Sequence, residues 1–334
     1  MPPASGRARS PRTLGDLGEF PWIARLRRQL RPRAGASAAV SLGIGDDAAI
    51  VRLRAGEELA VSTDAAVEGV HFDFETDAAV AVGRRALAAA LSDLAAMGAR
   101  PLACTLSLAA PPSLALRRLD AAMRGFADEA AKRGAPLVGG NLARARETSL
   151  HATVLGAVAR GGALRRDAAR AGDALFVTGT LGAAAIARRR AQSSGKPGRR
   201  VPPCRLAAGR ALARLAATGA RIACVDLSDG LASDLPHLLG SIGGPPALGA
   251  EVELAALPRS RGHDATCRAL GLDPALALCA GGEDYELLFT VDPRHADAGR
   301  LARRLGVSVA EIGRLTARRG VRGLPPGASG WRHF

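Results

Sequence analysis

The stretch TDAAVAVGRRALAAALSDLAAMG, residues 76–98, has the length and apolar repeat of a helix and stops at a glycine. On that helix Asp93 shares a face with Ala89, Ala90, Ala96 and Met97, the positions three and four away. A carboxylate on an apolar stripe is taken out of water, and there it finds a partner or gives up its charge. The same difficulty recurs elsewhere. CVDLSDGLASDLPHLL (224–239) places Asp226, Asp229 and Asp234 close together, with no Lys or Arg between Arg221 and Arg259. GIGDDAAIV (43–51) carries Asp46 and Asp47, and VSTDAAVEGVHF (61–72) carries Asp64 and Glu68. Singly, each has an ordinary explanation: a turn at Gly45-Asp46-Asp47, an N-cap at Ser228 or Asp229 for a helix beginning near Leu231, a satisfied core residue at Asp93. Collectively, hard carboxylate oxygens beside the hydroxyls of Ser62, Thr63 and Ser228, without a His or Cys cluster, match the ligands magnesium prefers. Magnesium keeps waters and bridges to substrate phosphates, so the pattern predicts a metal–phosphate site.

The chain has 334 residues, 48% of them hydrophobic, enough for a sizeable core and for two domains. Its net charge is +15, from 46 Lys+Arg against 31 Asp+Glu. Nucleic acid is therefore a partner to weigh, but no stripe of Arg interleaved with aromatics occurs, and clustered carboxylates repel phosphate. The arginine excess reads as compositional drift in a chain rich in Ala, Arg, Gly and Pro. Cys104, Cys204, Cys224, Cys267 and Cys279 form no C-x-x-C pair, which argues against a disulfide framework or zinc knuckle and for a reducing cytoplasm. The start, MPPASGRARSPR, is basic and polar and reads as a disordered tail over residues 1–13. No apolar run approaches the roughly 18 residues of a membrane span, so no membrane partner is expected.

SLALRRLDAAMRGFADEAAKRG (113–134) predicts a second helix ending in Gly, while SLHATVLGAVAR (149–160) and DALFVTG (173–179) predict strands. The fold class is thus mixed α/β. Polar residues 161–173 form the candidate boundary between an N-terminal domain, 14–165, and a C-terminal one, 166–334. RRRAQSSGKPGRRVPP (188–203) reads as a mobile loop between two helices, a solvated insertion rather than a phosphate-gripping lid. LVGGN (137–141), VTGTLG (177–182) and CAGGEDYELLF (279–289) each put backbone amides at a strand end, where anions can approach. Although GIGDDA matches the dinucleotide pattern G-x-G-x-x-A, its two aspartates would repel a pyrophosphate unless metal intervened. SGKPG has Pro where a P-loop needs Ser or Thr.

An ordered set of motifs, LGEFPWI, GIGDDAAIV, STDAAVEGVHF, LSDLAAMGARP, VGGN, RDAARAGDALFVTGTLG, DLSDGLASDLPHL, GGEDYELLFTV and the closing GWRHF, resembles the thiamine-monophosphate kinase family from about Leu14 to Phe334. That family sits in the superfamily of aminoimidazole ribonucleotide synthetase and selenophosphate synthetase. The resemblance implies two α/β halves with mixed sheets covered by helices, and a homodimer formed by the N-terminal halves. It also implies transfer of the terminal phosphoryl group of ATP to thiamine monophosphate with several magnesium ions, the last step of thiamine diphosphate synthesis. Carried over by motif, Asp47, Ser62, Thr63, Asp64, Asp93, Asn141, Asp226 and Asp229 are the expected metal ligands, and Asp47, Asp93 and Asp229 the expected catalytic set. Gly140, Asn141, Arg166 and Ser228 are expected at ATP, and His71, Glu283 and Trp331 at thiamine monophosphate. Two positions depart from the family: Asn141 stands where an Asp is frequent, and Met123 where relatives carry a Tyr beside the nucleotide. The rivals are another ATP-dependent synthetase of the superfamily and a basic nucleic-acid-binding protein. No cysteine precedes Cys104 to serve selenide chemistry.

Overall fold

A computed structural model describes residues 13–29, 39–42, 48–240 and 247–330. Asp46, Asp47, Trp331 and tail residues 1–12 lie outside them; Thr13, the last residue of the expected tail, caps the first helix by accepting from the Asp16 N–H. The chain opens with α1 (Leu14–Leu17), α2 (Glu19–Gln29), β1 (Val40–Leu42) and β2 (Ile50–Val51). There follow β3 (Glu57–Val67), α3 (Ala79–Ala96), β4 (Arg100–Ala110), α4 (Leu116–Arg133), β5 (Leu137–Arg144) and β6 (Ser149–Ala159). The later part runs β7 (Ala174–Thr178), α5 (Ala183–Ser194), α6 (Leu206–Ala216), β8 (Ile222–Asp226), α7 (Leu231–Asp234) and β9 (Gly249–Val252). It ends with α8 (His263–Ala269), α9 (Pro274–Ala280), β10 (Leu287–Val291), α10 (Ala298–Leu305), β11 (Val309–Thr316) and β12 (Gly320–Arg322).

Two mixed sheets carry the remaining strands once β1 and β2 are set aside as an antiparallel pair of their own. In the first, the order is β3-β6-β4-β5, antiparallel except for the parallel β4–β5 pair. In the second it is β12-β9-β11-β7-β10-β8, antiparallel except for β12–β9. Strands β4 and β6 largely alternate buried with half-buried residues, as expected of a sheet packed on one face. Every residue of β7, β8 and β10 is buried, which matches their continuous apolar runs.

Helix α3 is the seam between the two sheets. Its small residues let neighbours approach closely: a Cβ on Gly83 would meet the Ala122 carbonyl oxygen of α4 at 1.8 Å, and one on Gly125 of α4 would meet the Val80 oxygen at 2.0 Å. On another side, a Cβ on Gly209 of α6 would stand 1.9 Å from the Ala95 oxygen. One apolar cluster consequently runs from Leu87 and Leu94 of α3 through Leu106 and Phe126 to Leu212, Cys224 and Phe289.

The segment expected to be a loop between two helices joins α5 to α6 and is largely exposed, as a solvated insertion would be. Residues 188–194 complete α5, and the remainder is a strap fastened to the first half of the chain. Gly198 donates its N–H to the Thr76 oxygen at 2.6 Å and accepts from the Ala78 N–H at 3.0 Å. Tertiary hydrogen bonds hold this Gly/Pro/Arg-rich stretch, and composition does not encode them.

Candidate active site

Packing α3 against β8 brings together two carboxylates from distant parts of the chain. Asp93 accepts a hydrogen bond from the Ser62 hydroxyl of β3 at 2.5 Å, and burial raises its pKa against the opposing pull of Ser62 and Arg166. Asp226, at the end of β8, is 4% exposed; burial first and the Asp93 charge second push it up to about 7. Arg166, in the turn after residue 165, bears on both carboxylates as the cation of the group.

The rest of the DLSDG segment is held from within. Asp234, buried on α7, accepts from the N–H groups of Asp229 (3.0 Å) and Gly230 (2.9 Å), and so fixes the turn that presents Ser228 and Asp229. Its own carboxyl is pushed up to about 8, by burial first and then by the charges of Asp226 and Asp229. Neither Ser228 nor Asp229 caps α7; Gly230 occupies that position without a side-chain cap. Alongside runs the GGEDYE segment: Glu283 donates its N–H to the Ser228 oxygen at 2.6 Å, and Tyr285 donates to the Leu227 oxygen at 2.8 Å. Glu283 and Tyr285 hold φ of 56° and 53°, a left-handed conformation that costs an ordinary residue about 1–2 kcal/mol. That geometry is paid for by two anchors between them and beyond. Asp284 accepts from the Gly182 and Ala184 N–H groups at the start of α5, and Glu286 receives Thr178 and both forks of Arg205 at 2.5–2.6 Å.

Tyr285, the chain's single tyrosine, is a site residue that motif matching passed over. Burial raises its pKa well above the usual value, and the charges of Asp64, Glu283 and Asp226, from both halves, add to that. The signal available in the sequence was its place in GGEDYELLF, two residues past the candidate Glu283.

A cleft of about 310 Å³ opens between the strap and the start of α3, lined by His71, Arg85, Arg188, Arg199, Arg200 and Glu283 among others. It joins two of the three residues expected at thiamine monophosphate. His71 accepts the Val67 N–H on Nδ1 at 3.1 Å, which leaves Nε2 as the protonated nitrogen of a neutral ring. Glu283 meets Arg188 at 3.2 Å, and Arg200 donates to the Glu283 oxygen at 2.9 Å. Sequence reading missed Arg200, having placed it in a solvated loop.

One expected ligand, Thr63, faces away from Asp93 across the pleat of β3. The Thr63 hydroxyl accepts from Thr153 at 3.1 Å and is exposed, whereas Ser62, next to it on the strand, turns to Asp93. Asp64 accepts the Ala65 N–H at 2.8 Å. Gly140 and Asn141 lie on β5, at the opposite sheet edge from β3; Asp64, Ala152, Leu106 and Gly140 fall on one cross-strand line. Three strand spacings separate its ends, roughly 14 Å. Beside Gly139, Gly140 and Asn141 is an apolar slot of about 70 Å³, walled by Trp22 of α2, Met123 of α4, and Leu106 and Leu108 of β4. Among the described residues no three His, Cys, Asp or Glu side chains converge as a metal cage.

Comparison with known proteins agrees with this arrangement. Residues 45–158 match the family described as AIR synthase related protein, N-terminal domain. Thiamine-monophosphate kinase of Salmonella typhimurium is 37% identical over 318 residues, covering 90% of this chain and 91% of its own. The crystal structure of thiamine-monophosphate kinase from Stenotrophomonas maltophilia superposes with a TM-score of 0.74 at 38% identity, covering 91% of this chain and 95% of that one. AaThiL complexed with AMPPCP and TMP superposes at 0.71 with 26% identity, covering 99% and 100%. With its mixed-sheet halves and their buried carboxylate seam, the chain belongs to the thiamine-monophosphate kinase family.

Proposed function

We propose that the chain transfers the terminal phosphoryl group of ATP to thiamine monophosphate, giving thiamine diphosphate as the last step of that cofactor's synthesis. The observation that carries this reading is the meeting of Asp93 and Asp226 at the seam, two enclosed carboxylates with Arg166 as the cation bearing on both. Two carboxylates, a Ser62 hydroxyl and no softer donor fit magnesium, which binds through one or two carboxylates plus waters and substrate phosphates rather than in a protein cage. Asp93 and Asp226 would hold it with Ser62, and Asp47, Thr63, Asp64, Asn141 and Asp229 would complete the set for several ions. When bound, magnesium supplies positive charge against the transferring phosphoryl group.

The residues of the chain then have separate tasks. Arg166, Ser228, Gly140 and Asn141 contact ATP. The cleft takes the thiamine end, with His71 and Trp331 against the rings and the Glu283 carboxylate facing the cationic thiazolium. Its volume falls in the range of small-molecule sites. The acceptor phosphate is itself the nucleophile and is largely ionised at neutral pH, so no side chain need take a proton from it. Tyr285 stays protonated among its carboxylates, and burial raises the thiols of Cys104 and Cys224, which leaves them poor candidates for a covalent intermediate.

The same reading includes a homodimer through the first halves, which two observations support. Leu59 and Val61 of β3 are 47% and 58% exposed, and the candidate ligands on β3 and β5 sit on opposite sheet edges, too far apart for one ion. A second copy can bring one edge toward the other. None of the five cysteines is in a disulfide, which supports a cytoplasmic setting. No helix among the described residues is long and apolar enough to cross a membrane.

Incubating the protein with ATP, magnesium and thiamine monophosphate, and separating thiamine diphosphate chromatographically, tests the reading. Absence of that product would refute it. Sedimentation of the free protein tests the dimer.

A further inference from the structure

Among the described residues, Trp22 is the aromatic wall of the apolar slot beside the glycine pair of β5. Trp22 is 4% exposed and packs in the main core, yet its indole also borders the slot opposite Gly139 and Gly140, with Met123 as the adjoining wall. The helices that carry these two side chains are clamped together next to the slot. Arg25 of α2 donates through Nη2 to Asp120 of α4 at 2.6 Å. Arg25 stands three residues after Trp22 and Asp120 three before Met123, so ion pair and slot occupy the same two helix faces one turn apart. Among the described residues that line the slot, the polar side-chain groups are the Asn141 amide and the indole N–H of Trp22; other polar atoms belong to the backbone. Such a space suits a flat ring with apolar faces and polar edges. At about 70 Å³ it admits the edge of a base and not a whole nucleotide, leaving ribose and phosphates outside beside Asn141.

We propose that Trp22 is the stacking surface for the purine of the nucleotide, supplying in this chain the aromatic contact that Met123 does not; this presupposes that ATP binds at Gly140 and Asn141 as proposed above. A thioether packs well against a ring but has no face to stack on, while an indole offers the largest face of any side chain. The Arg25–Asp120 pair is then a positioning device that holds the indole across from β5.

The chain contains two tryptophans, Trp22 and Trp331, so the Trp331→Phe variant carries Trp22 as its only indole emitter. Titrated with the non-hydrolysable analogue AMPPCP, that variant is expected to show a saturable quench or shift of Trp22 emission. Trp22→Leu should raise the Kd for AMPPCP and the KM for ATP by about tenfold, the scale of one base–aromatic stack, with the KM for thiamine monophosphate within about twofold. Trp22→Phe, which keeps a ring, should recover most of the loss. Equilibrium dialysis of AMPPCP against the unaltered protein separates the failures. Binding there with silent Trp22 emission overturns the stacking role alone, as does a Leu variant that weakens both substrates together. No binding to the unaltered protein overturns the nucleotide reading and the stacking role with it. Should Trp22→Leu fail to fold, the emission titration still decides.

Discussion

Asp93 and Asp226 were each readable as a carboxylate in apolar surroundings; their meeting was not. A charge on an apolar stripe announces itself through the 3.6-residue period, but its partner is chosen by how α3 lies on β8, which no local pattern records. Asp226→Asn removes one of the two charges that would hold metal against the transferring group. Turnover is expected to fall at least about a hundredfold, since metal charge there is worth several kcal/mol. Near-normal kcat in both Asp226→Asn and Asp93→Asn would rule out the metal role. A second aspartate tests stability apart from chemistry. Asp292, 2% exposed at the end of β10, would be raised by burial, but it accepts from the Arg221 N–H at 2.9 Å and from His295 Nδ1 at 3.0 Å, which hold it down at about 2. A folded pKa below the unfolded 3.8 means a contribution complete above the unfolded value and lost as pH falls through about 2. Asp292→Asn should therefore cost about 1–2 kcal/mol in urea unfolding at pH 7, with the difference from the parent closing between pH 4 and 2. A constant gap over that range would show that the charge is not the cause.

Among the elements, those with a clear period were legible: the helix expected over 76–98 is α3, and the strand expected over 149–160 is β6. The loop between α5 and α6 was legible, but its ties to Thr76 and Ala78 were not, because Arg, Ser, Gly and Pro signal a break in periodicity and say nothing about what the break is tied to. Glu283 and Tyr285 were opaque for a similar reason. Their left-handed backbone is imposed by Asp284 and Glu286 gripping α5 and Arg205, partners far off in sequence. Gly83 was legible only as a helical residue, though it sets the distance between α3 and α4. Gly83→Ala drives a methyl onto the Ala122 carbonyl, so the helices must part, at a cost of about 1–3 kcal/mol by chemical denaturation. A neutral substitution would mean that α4 can shift freely.

At the scale of the whole molecule, two sheets do not make two independent bodies. The polar stretch 161–173 separates the sheets in the chain, β6 ending at Ala159 and β7 beginning at Ala174, but the apolar cluster crosses it by way of α3 and α6. Calorimetry is expected to show one cooperative transition for the ligand-free protein, since neither half keeps a complete core without the other. Two resolved transitions would contradict this. The seam helix has one more consequence. A gene split between codons 165 and 166 would yield two polypeptides, each presenting its bared side of α3's contacts to water, one with Asp93 and the other with Asp226. Made separately they would be prone to aggregate; made together they could meet only by rebuilding the seam, and in doing so would restore the acidic pair. Kinase activity regained from two fragments would thus report, in a living cell, whether the seam had closed.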